Sequence, residues 1–323
     1  MVEKCIIIGL GQIAMGYDLP SDSSHGIYTH ARAFSMHPAF ELVGAVDPES
    51  TKRDIFEQNY GKPAYCDITS ALLAHAVSVI VIAAPTHHHH LALKEVLACS
   101  TPKLILCEKP LAYDLLEARE MIEVCEKAGV KLFVNYMRRA DPGVIEVKER
   151  IESGEISLPI KGVAWYSKGF LHNGSHFFNL LEFWLGSFVR LKILDAGRLW
   201  ENQDPEPDVL VEFEKGKVVF LAAWEESFSH YTIELLSPVG RLRYEHGGES
   251  ITWESINSNP DIAGYDTLAK SPQVIDNDMY RYQWNVVDQL ANALVDKAHT
   301  LSNGRESLAT LEAMHKIIKQ RES

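Results

Sequence analysis

A doubly wound parallel α/β sheet, followed by an α+β unit with a largely antiparallel sheet, is the fold class this sequence predicts. Three observations predict it. The chain opens on an apolar run, Ile6-Ile7-Ile8, that leads straight into Gly9-Leu10-Gly11-Gln12-Ile13-Ala14. Short, nearly continuous apolar runs then alternate with helical patterns, as a parallel sheet covered on both faces requires. Later, several strands follow one another with short turns, which means antiparallel pairing. At 323 residues the chain exceeds one typical domain. The expected division is 1–125 and 126–323, with the final helix free to pack back on the first domain.

The elements follow in order. Residues 2–8, 41–47, 77–84, 103–107 and 130–135 read as strands of the first sheet. Helical patterns cover 29–36, 89–98 and 114–128. The last of these starts Asp114-Leu115-Leu116-Glu117, a capping-box spacing, and stops at Gly129. Asp141-Pro142 reads as a cap followed by proline at the first helical position, opening a helix to about Ser153. Residues 160–168 read as strand and 175–185 as an apolar helix. Strands at 191–198, 208–214, 217–224, 230–236, 241–245 and 250–254 come next, with Lys215-Gly216-Lys217 as a hairpin turn. Helices near 276–297 and 304–320 close the chain.

Composition narrows the function classes. The hydrophobic content of 46% and charged content of 23% are those of an ordinary globular protein. A net charge of −13 argues against a nucleic-acid surface unless a basic patch exists, and the richest basic stretch, Lys148-Glu149-Arg150, is broken by an acid. The 5 cysteines are odd in number and scattered, with no C-x-x-C pair, which suggests neither zinc nor a disulfide framework. No apolar run approaches the roughly 18 residues of a membrane span, and no signal-peptide pattern opens the chain. A cytoplasmic protein is the expectation.

Gly9-x-Gly11-x-x-Ala14 after a strand has the spacing of a dinucleotide-binding, Rossmann-type phosphate loop. Gly9 permits the tight turn, Gly11 lets the backbone approach a pyrophosphate, and Ala14 allows close helix–strand packing. The amides about Gln12 and Ile13 would face the phosphates. Asp47 ends the next strand. A carboxylate there accepts the ribose hydroxyls and repels a 2′-phosphate, which favours NAD over NADP; the alternative is a turn aspartate before Pro48. Asp47 lies much farther along than the fingerprint's roughly 20 residues. The polar stretch 15–26, rich in turn formers, accounts for the excess as an inserted loop. His87–His90 are four adjacent histidines. Neighbouring side chains point apart, so they are not read as a metal site.

Lys109 lies in Glu108-Lys109-Pro110, directly after the apolar run Leu104–Cys107. A lysine at the carboxyl end of a buried strand lies where open α/β sheets bind ligands. With Gly9–Ala14, Asp47, Pro85-Thr86-x-x-His89, Tyr136-x-Arg138-Arg139 and Gly174-x-His176, it forms an ordered set over residues 1–186. On that set the chain resembles the glucose-fructose oxidoreductase / inositol dehydrogenase / MocA family (Gfo/Idh/MocA).

The resemblance implies roles. Lys109 would hydrogen-bond the substrate hydroxyl being oxidised, and the Lys109–Pro110 peptide would be cis. His176 would be the general acid/base, at the start of a helix. Gly9, Gly11, Gln12, Ile13, Ala14, Asp47, Pro85, Thr86, His89 and Glu108 would hold the dinucleotide, and no metal is implied. Tyr136, Arg138, Tyr166, His172 and Asn179 would contact substrate. Arg138 and Arg139 could instead form a salt bridge across the domain boundary, and one of Trp165 and Tyr166 could serve the core. Many relatives carry aspartate where this chain has Asn179, and aspartate or asparagine where it has His172. Those changes favour an anionic substrate, or leave His172 as loop support.

The leading expectation is an NAD-dependent oxidoreductase acting on a secondary hydroxyl or keto group of a sugar, polyol or nucleotide-sugar. The alternatives are a non-catalytic dinucleotide-binding regulator and a reductase of a non-sugar substrate. Relatives assemble through an antiparallel sheet face, so a homodimer or homotetramer is expected. Val209, Val211, Phe213, Val219, Leu221 and Trp224 either form that face or pack on helices.

Overall fold

The computed structural model describes residues 2–19, 26–224, 228–259 and 261–321. The chain forms two compact units, Met1–Ala140 with Tyr280–Ala309, and Asp141–Met279 with Thr310–Ser323. The division therefore falls after Ala140 and not at 125, and the chain re-enters the first unit near its end. Strand pairing is the reason. The strand at Lys131–Val134 pairs in parallel with the one at Leu104–Cys107, so it cannot leave that sheet.

In chain order the elements are β1 (Glu3–Ile8), α1 (His30–Met36), β2 (Phe40–Val46), α2 (Ser50–Tyr60), β3 (Ala64–Tyr65), α3 (Ile68–Ala74), β4 (Val79–Ile82), α4 (His89–Cys99), β5 (Leu104–Cys107), α5 (Leu115–Ala128) and β6 (Lys131–Val134). There follow α6 (Pro142–Glu152), β7 (Ile160–Tyr166), α7 (Ser175–Leu185), β8 (Phe188–Trp200), β9 (Asp204–Phe213), β10 (Gly216–Ala222), β11 (Thr232–Ser237), β12 (Gly240–Glu245), β13 (Ser250–Ser258), β14 (Asp266–Leu268) and β15 (Gln273–Ile275). Then come α8 (Tyr282–Leu294), β16 (Ser302–Asn303) and α9 (Gly304–Arg321).

The first unit's sheet runs β16-β6-β5-β4-β1-β2-β3 among the described residues, parallel throughout except for β16. Its inner strands are apolar on both faces: Val79–Ile82 and Leu104–Cys107 are all 0% exposed. That burial is what a parallel sheet with helices on both sides demands. Asp114 caps α5 by accepting from Leu116 and Glu117 N–H (2.7 and 3.1 Å). Val286, Val287, Leu290 and Ala293 of α8 join this unit's core. The sequence reading assigns no element between 48 and 76, where α2, β3 and α3 lie. Helix α2 buries only Phe56, so its sequence shows no apolar stripe.

The second unit's sheet runs β14-β13-β12-β11-β7-β10-β9-β8, with β15 beside β13. Only the β7–β10 pair is parallel among the described strands. Asp141 caps α6 through Gly143 and Val144 N–H, with Pro142 at the first position. Three expected boundaries shift. The β9–β10 turn is Glu214–Lys215, and Gly216 already pairs with Phe213. Helix 276–297 starts later, as a 3-10 turn at Met279–Arg281 followed by α8. Strand β9 begins at Asp204, not 208, despite Pro205 and Pro207. Among the described residues, 204–208 pairs only with β8, so the missing proline N–H groups break no second ladder there.

Val209, Val211 and Phe213 are buried in the core with α6 and α7, so they do not form an outer face. Val219 and Leu221 are half-buried and Trp224 is exposed. Trp184 on α7 is 0% exposed, and its Nε1 donates to Val144 O at 3.0 Å. Trp184→Ala should cost about 3–5 kcal/mol in chemical denaturation. A loss below about 1 kcal/mol would contradict the packing described.

Candidate functional site

The glycine loop leaves β1 by a turn that only glycine makes easily. Gly9 has φ +92°, and a Cβ there would lie 2.6 Å from Ala84 N. Among the described residues, no atom beyond Gly11 and its chain neighbours lies within 4 Å of where its Cβ would be, so its backbone borders open space. Asp47 closes the loop from below. Its Oδ2 accepts Leu10 N–H at 2.8 Å and its Oδ1 accepts Glu49 N–H at 2.9 Å. Each oxygen keeps acceptor capacity. A cleft of about 470 Å³ follows, lined by Gly9, Asp47, Lys52, Cys66, Pro85 and Leu91 among others. The glycine turn, an acceptor carboxylate and the apolar wall fit an adenosine diphosphate moiety.

The helix expected after the loop is interrupted. Residues 11–17 make one turn, with Met15 N–H bonded to Gly11 O and Tyr17 N–H to Gln12 O. Ala14 is fully buried and its carbonyl accepts Ala31 N–H, which docks α1. Asp18 accepts Thr29 N–H and its hydroxyl at 3.0 and 2.6 Å, stitching the two sides of the insertion together. The expected loop at 15–26 is thus anchored at its flanks; its residues 20–25 lie outside the described residues.

Lys109 stands past the carboxyl end of β5, half-buried, and its peptide to Pro110 is cis, as expected. Glu108 does not point into the cleft. Its Oε1 takes His30 Nε2 at 2.8 Å and Asn135 Nδ2 at 2.6 Å, and Lys109 N–H donates to its Oε2 at 3.3 Å. Burial acts to raise the Glu108 carboxyl, but the His30 bond and charge, the Asn135 bond and the Lys109 charge outweigh it. The result lies below the ordinary carboxylate value.

His89 is 0% exposed and does not line the cleft. Its ring nitrogens lie 2.8 Å from Ala84 O and 3.2 Å from Leu111 O, so it ties the Pro85–Thr86 turn to the segment after Lys109. Burial pushes its pKa down in spite of those carbonyls, and the neutral ring, with one N–H, donates to one carbonyl at a time. Within the histidine run, His90 bonds Glu120 at 2.8 Å. Among the described residues no group of three or more His, Cys, Asp or Glu side chains converges for a metal.

Tyr136 and Arg138 lie past the carboxyl end of β6 and are both buried. Arg139 pairs with Glu306 at 3.0 Å, inside the first unit and not across a domain boundary.

In the second unit, residues 169–174 form a π-helical turn ahead of α7. Two carboxylates from β9 hold it. Asp204 accepts Leu171 N–H at 3.0 Å and His172 N–H at 2.7 Å. Glu206, fully buried, accepts Gly169 N–H at 3.0 Å and pairs with Arg198 at 2.9 Å. Burial pushes the Asp204 carboxyl up to about 6, against the backbone N–H groups that hold it down. His172 is exposed, with its ring stacked on Trp200 at 5.3 Å. His176 follows at the second position of α7, 8% exposed.

Two expected substrate residues lie elsewhere. Tyr166 is 0% exposed and its hydroxyl donates to Pro207 O at 2.7 Å, so strand alternation gives it to the core and leaves Trp165 outside. Asn179 is also fully buried and donates to Thr310 Oγ1 at 3.0 Å. Sequence reasoning missed His30, Asn135, Asp204 and Glu206. Only the last two leave a signal. Asp204, Glu206 and Asp208 alternate, which puts three acids on one strand face.

Residues 4–136 match the model of the Gfo/Idh/MocA oxidoreductase family, described as having an NAD-binding Rossmann fold. The chain is 29% identical over 173 residues to scyllo-inositol 2-dehydrogenase (NAD(+)) of Bacillus subtilis, covering 52% of this chain and 44% of that one. It is 30% identical over 170 residues to an inositol 2-dehydrogenase of Rubrobacter xylanophilus, covering 52% and 47%. The chain thus spans about half the length of these curated relatives. In fold it is similar to the WlbA dehydrogenase of Bordetella pertussis, solved with NADH and UDP-GlcNAcA, with TM-score 0.76, 18% identity and coverage of 99% and 96%. Among the described residues no helix is long and apolar enough to cross a membrane.

The His30–Glu108 pair carries a pH signature. A depressed folded-state pKa stabilises above the ordinary carboxylate value, and that contribution is lost as pH falls through the folded value. His30→Ala should therefore lower stability at pH 7 by about 2–3 kcal/mol. The gap to wild type should narrow below about pH 4. Denaturation at both pH values reads this, and a gap independent of pH would refute it.

Proposed function

We propose, from a first unit that belongs to the Gfo/Idh/MocA oxidoreductases, that the protein is an NAD-dependent enzyme acting on a secondary carbinol or ketone of a sugar, polyol or nucleotide-sugar. One observation carries this reading. Strands β1, β2, β4, β5 and β6 are parallel, so Gly9, Asp47, Pro85, Lys109 and Tyr136 all follow carboxyl ends on the same edge of one sheet. That edge is where open α/β sheets take ligands.

The dinucleotide, when bound, supplies the hydride acceptor or donor. The chain's own residues do the rest. Gly9 makes the turn against Ala84 and Gly11 leaves room for phosphates, while Asp47 accepts ribose hydroxyls and repels a 2′-phosphate. Lys109 donates to the reacting oxygen and stabilises its developing negative charge. Pinning of its strand end by Glu108 and His89 limits how far it can drift. His176 exchanges the hydroxyl proton, since imidazole titrates near neutral pH. His172 offers an exposed ring to substrate, and Tyr136 and Arg138 stand beside the dinucleotide or the substrate. Tyr166 and Asn179 have no part in contact.

The protein assembles as a homodimer or homotetramer through the sheet face of the second unit that α6 and α7 leave open. Val189, Leu194 and Leu236 there are 48–50% exposed. Sedimentation as a monomer would refute this.

A panel of inositols, aldoses and uronates with NAD tests the activity. Lys109→Ala and His176→Ala should each cut kcat by about 10²–10⁴-fold. Dinucleotide binding without any turnover would favour a regulatory protein instead. Asp47→Ser should improve NADP relative to NAD by at least about tenfold in Kd, a shift of ~1.4 kcal/mol. An unchanged ratio would remove Asp47 from cofactor choice.

A further inference from the structure

The segment that carries His172 and leads into His176 is anchored in the core by Phe170, which is 0% exposed, but that packing does not by itself orient the exposed His172. Its first residues do not even favour the entry: Lys168 has φ +60° and Gly169 has φ +85°. What fixes it is a set of backbone donors laid on two side chains of β9. Leu171 and His172 N–H both reach Asp204, and Gly169 N–H reaches Glu206. A Cβ at Gly169 would lie 2.3 Å from Asp204 Oδ2, so glycine is what lets the carboxylate come this close.

Trp200 is paired with Asp204 across the β8–β9 ladder, and the same indole stacks on His172 at an interplanar angle of 18°. Backbone and ring of His172 are therefore both set by one pair of residues across the β8–β9 ladder. Downstream, Ser175 Oγ donates to His172 O at 3.2 Å, linking the turn to the residue before His176. Asn173 donates to Tyr231 OH at 2.7 Å.

We infer that Asp204 is a positioning residue for the His172–His176 segment, supplying from an adjacent strand a carboxylate that holds the segment from beneath. It does not touch the reacting groups. It acts by fixing two amides, and through them the ring of His172 and the start of α7. A buried carboxylate that accepts several N–H groups is a strong and directional restraint. Its ionisation is finely set, because burial pushes it toward neutrality while those amides favour the anion. The kinetic consequence rests on the dehydrogenase reading above; the structural consequence does not.

The test uses the full chain and three variants. Asp204→Asn removes the charge and one acceptor oxygen, and Asp204→Glu keeps the carboxylate on a longer arm. Asp208→Asn is the control, since Asp208 is on the same strand but accepts Ala222 N–H at 2.9 Å instead. Two measurements need no substrate. Amide exchange at Leu171 and His172 should quicken at least about tenfold in Asp204→Asn, the factor set by ~1.4 kcal/mol of lost protection. The ring-current shift that Trp200 imposes on His172 should move toward the free-histidine value. Both should stay unchanged in Asp208→Asn.

With NAD and whichever of myo-inositol or the other panel sugars is turned over, kcat should fall in the order wild type, Asp204→Glu, Asp204→Asn. The Kd for NAD should not change. Unaltered exchange and ring shift in both Asp204 variants would overturn the inference, as would a kcat equal to wild type. If wild type turns over nothing, the dehydrogenase reading fails and the exchange and ring-shift results decide the positioning role by themselves. If Asp204→Asn does not fold, the same readings on Asp204→Glu decide it.

Discussion

Carboxylates that accept backbone N–H groups hold the glycine loop, one flank of the insertion and the turn before α7. Asp47 takes Leu10 and Glu49, Asp18 takes Thr29, and Asp204 and Glu206 take residues 169–172. Loops at the ends of strands have no ladder partners of their own, so their amides need acceptors. An anionic acceptor gives roughly twice the strength of a neutral one and so fixes the loop more firmly. The burial cost of each carboxylate is offset because it is never left without donors. This also explains part of the net charge of −13: several acids hold backbone, rather than facing a cationic partner.

The parallel sheet turns those local restraints into a site. Strands that run the same way deliver their carboxyl ends to one edge, so a glycine turn, an acid and a lysine far apart in sequence arrive together. Glu108 then couples that edge to the interior. It is buried, bonded to His30 and Asn135, and chemically continuous with Lys109. His89 sits buried between two backbone carbonyls of the neighbouring segments and donates to one of them at a time. A lysine with a long flexible stem gains a defined reach when the backbone beneath it cannot shift.

The second unit solves the same problem without a parallel edge. Among the described strands its sheet is antiparallel apart from β7–β10, and its candidate segment is an irregular turn. The turn borrows order from β9, whose prolines fit because that stretch is paired on one side among the described residues. Asn179 and Tyr166, expected at the substrate, are instead spent on cohesion. Asn179 fixes α9 through Thr310, and Tyr166 fixes β9 through Pro207 O.

The strands and most helices were legible because burial on a fixed period writes itself into the order of apolar residues. The loop glycines, Asp47, Lys109 and His176 were legible as candidates because the proposed chemistry requires a residue type at a strand end or helix start. Helix α2 was not, since it buries a single side chain. Nor were His30 and Asn135, which lie 78 and 27 residues from Glu108 and show their meaning only when folding brings them to it. Asp204 left a trace in the alternation of acids, but prolines between them disguised the strand. The sequence by itself determined the fold class and marked the candidate reacting groups, because periodicity and residue chemistry are local properties. Only the tertiary structure decided which polar side chains hold those groups in place, because hydrogen-bond partners are chosen by proximity in space and not by order along the chain.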